Sequence, residues 1–338
     1  MNIVITGGAG FLGAKLARQL LARGQLSLAG SPARTIECIT LVDRAAPPPD
    51  LATDSRIRVV VGDLIALLEE KAAPGQVIRA HDAIIFHMAA AVSGECEADF
   101  DLGMRSNVDA TRALLQACRI LKTCPTVVFA SSLAVFGNSP QQPLPGVIDD
   151  RTLPTPQNSY GIQKFIGEQL VADYARKGFI RGRNVRLMTV SVRPGKPNGA
   201  ASSFLSGMIR EPLAGVRAAC PVPPETAVAL SSPARTINGL IRAAEVSDEA
   251  WGARTAINLP ALSTTVGEMA LALEKLGGKT VADLIDWTPD LTIANIVTSW
   301  PAVIDAARAK ALGLLPDPDF ESIVADYIRE NPHIAEAS

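Results

Sequence analysis

The chain has 338 residues, 48% of them hydrophobic, with 32 Lys and Arg against 34 Asp and Glu for a net charge of −2. That is enough for one large or two interlocked domains with a sizeable core, and the balanced charge gives no basis for a nucleic-acid partner. No apolar run approaches the ~20 residues that cross a bilayer, three histidines nearly exclude a His-rich metal site, and five cysteines without a CxxC pair read as reduced thiols. From Asn2 the elements then follow one another without a break. Ile3 to Ile5 is a buried-strand run that leaves no room for a signal peptide, so the protein is expected in the cytoplasm. Phe11 to Ala22 carries helical periodicity. Strands are predicted at Ile36 to Val42, Arg58 to Val61 and Ala83 to Phe86, and a helix from Met104 to Leu121. A fifth strand spans Thr126 to Ala130, a second long helix Ser159 to Arg176, and a sixth strand Val185 to Val192. Continuous apolar strands alternating with helices mean a parallel sheet covered on both faces, an α/β doubly wound fold.

Proline marks the connections. Pro47-Pro48-Pro49 lies in an exposed link, and Pro140 to Pro156 holds five prolines and reads as a long loop. Past Pro194 the pattern changes. Residues 196–230 are rich in small residues and proline, with a short helical piece near Phe204 to Arg210. Ser232-Pro233 opens a helix as N-cap and first-turn proline. Helical runs follow at Val266 to Leu276, Val303 to Leu312 and Phe320 to Glu330. The expected division is a dinucleotide-binding domain of residues 1–195 plus about 231–260. A smaller mixed α/β substrate portion takes about 196–230 and 261–338.

Gly7-Gly8-Ala9-Gly10-Phe11-Leu12-Gly13 joins the first strand to the first helix. In that context Gly7 permits the tight turn, Gly10 lets backbone approach a pyrophosphate, and Gly13 lets helix and strand pack closely. The helix N-terminus adds free N–H donors and the positive dipole end. An ordinary Gly-rich turn is the plain alternative. Asp43, ending the second strand, would accept from adenosine ribose hydroxyls and repel a 2′-phosphate, which favours NAD over NADP. Arg44 beside it works against that preference, and 30 residues from Gly13 to Asp43 is a long spacing.

Tyr160 and Lys164 stand one turn apart on a helix, where an ammonium can lower a phenol's pKa toward working pH and ready it as a general base. A Tyr–Lys pair on a solvated helix face is the alternative. Ser132 follows the fifth strand at the carboxyl edge of the sheet, where it could hold a substrate oxygen or simply cap a turn. Asn107, a poor helix former inside a helical pattern, could orient Lys164 through water or bond backbone. His87 reads as packed near the cofactor rather than as a base.

Thr6 to Gly13, His87 to Ala90, Asn107, Ser131 to Gly137 and Tyr160 to Lys164 resemble the extended short-chain dehydrogenase/reductase superfamily, the NAD-dependent epimerases and dehydratases. The resemblance extends to Ala307–Ile328, near the end of the chain. It implies a Rossmann domain, NAD, and a triad filled by Ser132, Tyr160 and Lys164, with Asn107 in the accessory position. It also implies that Asp63 and Leu64 flank adenine, that Ala89 and Ala90 line the cofactor, and that Val192 to Pro194 face nicotinamide.

Many relatives hold a nucleotide-sugar diphosphate with an arginine before the late helix. Glu225 to Ser232 contains none, which argues against that substrate. Val192 to Asn198, Ala200 to Phe204, Arg210 to Leu213 and Ser159 to Lys164 are similar to the D-erythronate dehydrogenase family. That similarity implies NAD-linked oxidation of the C2 hydroxyl of a four-carbon sugar acid, with Ser202 and Ser203 available to its diol. Arg193, Lys196, Arg210 and Arg235 are candidates for its carboxylate, and the sequence does not rank them. A nucleotide-sugar epimerase or dehydratase uses the same triad and is the rival reading. An NAD-sensing scaffold need not keep both Tyr and Lys. The two long helices could pair in a homodimer.

Overall fold

The computed structural model describes residues 1–69, 77–195 and 199–332. Seven strands form one parallel sheet: β1 (Asn2–Thr6), β2 (Cys38–Asp43), β3 (Ile57–Val61), β4 (Asp82–His87), β5 (Thr126–Ser132), β6 (Arg181–Leu187) and β7 (Ile257–Asn258). Their order is β7-β6-β5-β4-β1-β2-β3. The chain reverses its direction of winding between β1 and β4, and in such sheets a crevice opens beyond the carboxyl ends at that point.

The strands are apolar throughout because both faces are covered. Ile3 and Ile5 turn to a core shared with Leu16 and Leu20 of α1 (Phe11–Arg23) and with Ile237 and Leu240 of a late helix (Pro233–Glu245). Val4, one residue out of phase, joins Leu114, Leu115 and Cys118 of α2 (Ala110–Leu121) and Val171 of α3 (Ser159–Arg176) on the other face. Each such side chain contributes roughly 1.5–3 kcal/mol when fully buried. The late helix starts as its sequence signals, Ser232 accepting from the Arg235 N–H with Pro233 in the first turn.

The sixth strand differs from its expected Val185 to Val192. The chain leaves the main sheet after Leu187, and Thr189–Val190 pairs instead with Ala227–Ser231 in a separate sheet of three. That departure carries the chain from the large core to a smaller one built on Leu205, Met208, Ile209, Leu273 and Val324. The helix predicted over 303–312 is reduced to Ala307–Ala311, and Ile304, Ala306, Ala309 and Leu312 pack into the large core. The helix predicted from Met104 opens with a π-turn, Met104–Asp109, before α2. Among the described residues, no helix is long and apolar enough to cross a membrane.

Candidate active site and cofactor cleft

The turn after β1 has no room for a Cβ at Gly7, Gly8 or Gly13. Gly7 has φ +71°, and a Cβ there would stand 2.8 Å from the Ala89 nitrogen. At Gly13 a Cβ would stand 2.1 Å from the Gly7 carbonyl oxygen. Gly10 precedes α1 in extended conformation with no side chain capping the helix start. The first turn therefore presents its N–H groups and dipole to whatever lies in front. What lies there is a cavity of ≈ 270 Å³ lined by Gly7, Gly10, Phe11, Leu12, Gly13, Ala90, Ser132, Tyr160, Lys164, Arg193 and Ser202 among others. A second cavity of ≈ 330 Å³ shares Gly7, Gly10 and Ala90 with it and runs past Ala89 to Asp43, Asp63 and Leu64.

Asp43 accepts from the Ala9 N–H at 3.0 Å and the Ala45 N–H at 3.2 Å. Arg44 turns away to Asp63 at 3.0 Å, and Arg105 holds the other Asp63 oxygen at 3.0 Å. Partial burial works to raise the Asp63 carboxyl, but the Ala66 N–H and the two arginines outweigh it and hold it below the usual carboxylate range. Arg44, the residue that weighs against NAD in the sequence, is thus drawn to a carboxylate that it shares with Arg105. A glycine cradle at a helix N-terminus, with acids at the far end, fits a dinucleotide without a 2′-phosphate.

Ser132 ends β5, and Asn158 caps α3 by accepting from the Gly161 N–H at 2.8 Å, so that Tyr160 enters the first turn beside Ser132. Enclosure pushes the Tyr160 phenol up to about 12, while the Ser132 hydroxyl and the Arg193 charge pull the other way. The Lys164 ammonium, 3% exposed, donates to the Ala130 carbonyl at 2.9 Å and lies 5.7 Å from the Tyr160 ring centroid. Burial lowers its pKa to about 8 against the opposing charges of Cys96 and Glu168. The groups that pull the phenol down are therefore Ser132 and Arg193 rather than the expected lysine: burial dominates the tyrosine, and one N–H of the ammonium goes to a backbone carbonyl. His87 is buried between the Thr6 and Thr111 hydroxyls, at 2.7 and 3.0 Å. Burial, helped by the Lys164 charge, drops its pKa to about 3, so it stays neutral and is no base.

Asn107 sits in the π-turn, 2% exposed. Its Oδ1 accepts from the Ala91 N–H at 2.8 Å, and its Nδ2 donates to the Ala91 carbonyl and to Gln163 Oε1. Those bonds tie the Ala90–Ala91 wall of the cofactor cleft to α3, and none runs to Lys164. Val192 packs into the smaller core and, with Pro194 and Phe11, lines a minor side cavity. Of the Val192 to Pro194 stretch Arg193 lines the cleft, and Leu187, Met188, Thr189 and Val190 extend that wall toward the start of the segment. The extension follows from the chain's exit from the sheet after Leu187.

Of the four candidate cations, Arg193 alone lines the cleft among the described residues, with its Nη2 3.4 Å from the Ser202 hydroxyl. Arg210 is turned to the Arg193 carbonyl at 2.7 Å and to Glu211. Arg235 stands by Asp317 at 3.9 Å, off the cleft, and Ser203 does not line it. Lys196 lies outside the described residues. The sequence reading missed a buried network behind the triad: the Glu168 carboxylate accepts from Arg186 Nε and Nη2, each at 2.8 Å, and from the Ser131 hydroxyl at 2.6 Å. It also missed Gly161, and Trp300, which reaches the cleft from the last third of the chain. A glycine between Tyr160 and Lys164 was the one available signal.

The model of the NAD dependent epimerase/dehydratase family matches residues 3–224. The chain belongs to that family. It is an NAD-dependent dehydrogenase. Its relatives include a D-erythronate dehydrogenase of Cupriavidus necator, 50% identical over 98% of both chains, and one of Haemophilus influenzae, 41% identical over 97% of this chain and 99% of that one. A solved structure described as a nucleoside-diphosphate-sugar epimerase from Agrobacterium tumefaciens superposes with a TM-score of 0.87 at 40% identity, covering 98% of this chain and 95% of that one.

Proposed function

We propose that the enzyme oxidises the C2 hydroxyl of a four-carbon sugar acid, D-erythronate, to 2-dehydro-D-erythronate. The observation that carries this reading is Arg193. Its guanidinium faces the cleft near Tyr160, and among the described residues no carboxylate pairs with it. Burial and the neighbouring Arg210 both disfavour its charge. An uncompensated cation beside the reacting hydroxyls calls for an anionic ligand, and a carboxylate matches its two-pronged donor geometry. The names of the two full-length relatives point the same way.

In this reading Arg193 holds the carboxylate, Ser202 bonds a diol oxygen, and Ser132 with Tyr160 receives the C2 hydroxyl. Tyr160, as the phenolate, takes the hydroxyl proton and becomes the neutral phenol, and the Ser132 hydroxyl and the Arg193 charge, both at the cleft, favour that phenolate. Lys164 fixes the helix against Ala130 and supplies positive charge beneath the site. NAD, bound across the strand ends, supplies the hydride acceptor. Residues 1–195 with about 231–260 hold NAD, and the portions 196–230 and 261–338 close over the acid, bringing Ser202 and Trp300. The enzyme works in the cytoplasm, as a homodimer joined through α2 and α3, around which Phe100, Ile120 and Ile162 are exposed.

Arg193→Met tests the assignment. Loss of one charge-assisted pair, about 1.5–3 kcal/mol, should raise KM for the acid at least tenfold while the affinity for NAD stays as it was. An unchanged KM would remove Arg193 from the acid site.

A further inference from the structure

Helix α3 grips the end of β5 at two points, and only the first belongs to the triad. Lys164 donates to the Ala130 carbonyl at 2.9 Å. One turn on, Glu168 accepts from the Ser131 hydroxyl at 2.6 Å. Ala130, Ser131 and Ser132 all line the cleft, and the Ser132 hydroxyl abuts Tyr160 while the Ser131 hydroxyl turns away from it to Glu168. Glu168, Ser131 and Arg186 are 2, 2 and 5% exposed, so the network is buried. The Arg186 fork takes both Glu168 oxygens from β6, its guanidinium lies 4.8 Å over the Phe136 ring, and its Nη1 reaches Asn258 of β7 at 3.4 Å. The Asn184 amide adds a bond to the Glu168 carbonyl at 3.0 Å.

A buried ion pair is a poor source of stability, since desolvation offsets most of its attraction, but it fixes geometry. Here it fixes one carboxylate oxygen against Ser131. We propose that Glu168, anchored by Arg186, acts through Ser131 as a positioning residue that sets Ser132 against Tyr160 and the Ala130 carbonyl against Lys164. The proposal rests on Ser132, Tyr160 and Lys164 being the reacting set. Reacting groups misplaced by about 1 Å can lose 10²-fold in rate, so a contact one residue away from the reacting hydroxyl can govern turnover.

Ser131→Ala separates this role from a structural one, because it cuts the tie and leaves the Glu168–Arg186 pair whole. The assay uses whichever substrate the wild-type enzyme turns over, so a wrong sugar-acid assignment shows in the wild-type control and leaves the comparison standing. The expected result is a kcat about tenfold lower, with KM and NAD affinity unchanged, the thermal midpoint held, and most of the loss restored in Ser131→Thr, which keeps the hydroxyl. Full kcat in Ser131→Ala overturns the proposal. So does a loss of kcat that follows the thermal midpoint and is not rescued by threonine, since that is the mark of a packing role alone.

Discussion

A Cβ on Gly161 would stand 2.0 Å from the carbonyl oxygen of Ala134. The first turn of α3 therefore lies directly on the short 3₁₀ turn Leu133–Val135 that follows Ser132. Gly167 repeats the close approach further along, where a Cβ would meet the Phe129 ring at 2.5 Å. Two glycines let the helix settle on β5, and that fit brings the Tyr160 and Ser132 hydroxyls together.

Gly161→Ala should then displace the first turn and separate the pair. Overpacking of this kind costs roughly 1–3 kcal/mol. We expect a lower unfolding midpoint in urea and at least a tenfold loss of kcat, with NAD affinity nearly kept, because the glycine cradle at Gly7 to Gly13 is untouched. Wild-type turnover in a folded Gly161→Ala protein would show that the close contact does not set the site.

Tyr160→Phe removes one oxygen and keeps the ring. General acid–base chemistry contributes typically 10²–10⁴-fold, so kcat should fall by about that factor while NAD still binds, measured by quenching of intrinsic fluorescence. Turnover at the wild-type level would take Tyr160 out of the mechanism.

The neutral His87 gives the fold an acid-sensitive window. Its folded pKa of about 3 lies below the ordinary value of 6.5, so between those limits the unfolded chain binds a proton that the folded chain refuses. Stability from this group is complete above pH 6.5 and falls as pH drops through the window, at about 1.4 kcal/mol per unit. Urea midpoints at pH 7 and 4.5 measure it. The wild type should lose about 2–3 kcal/mol more over that interval than His87→Gln, which has nothing to protonate. Equal losses would place the acid sensitivity elsewhere.

Much of this architecture is legible in the sequence because the signals are local. The Gly7 to Gly13 turn, the Ser232-Pro233 cap and the helix Ser159–Arg176 each announce themselves within a few residues. Strands of two residues such as Thr189–Val190 and Ile257–Asn258 do not, since so short a run shows no period. The site divides the same way. Tyr160, Lys164 and Ser132 are found from spacing and strand position. The choice of Arg193 over Arg210 and Arg235 needs their partners: a backbone carbonyl and Glu211 for one, Asp317 for the other. The partnership of Glu168 with Ser131 and Arg186 joins three elements and leaves no local trace. Arg44 shows the converse case, a local charge whose meaning changes once Asp63 is seen beside it.

The most direct test of the sugar-acid reading is NADH formation by the purified protein with NAD and, in turn, D-erythronate, L-threonate, D-glycerate and UDP-glucose. The account predicts strong, selective turnover of D-erythronate and none of UDP-glucose. Silence on every acid, with UDP-glucose interconverted and no net NADH formed, would contradict it and make the chain a sugar-nucleotide epimerase built on the same triad.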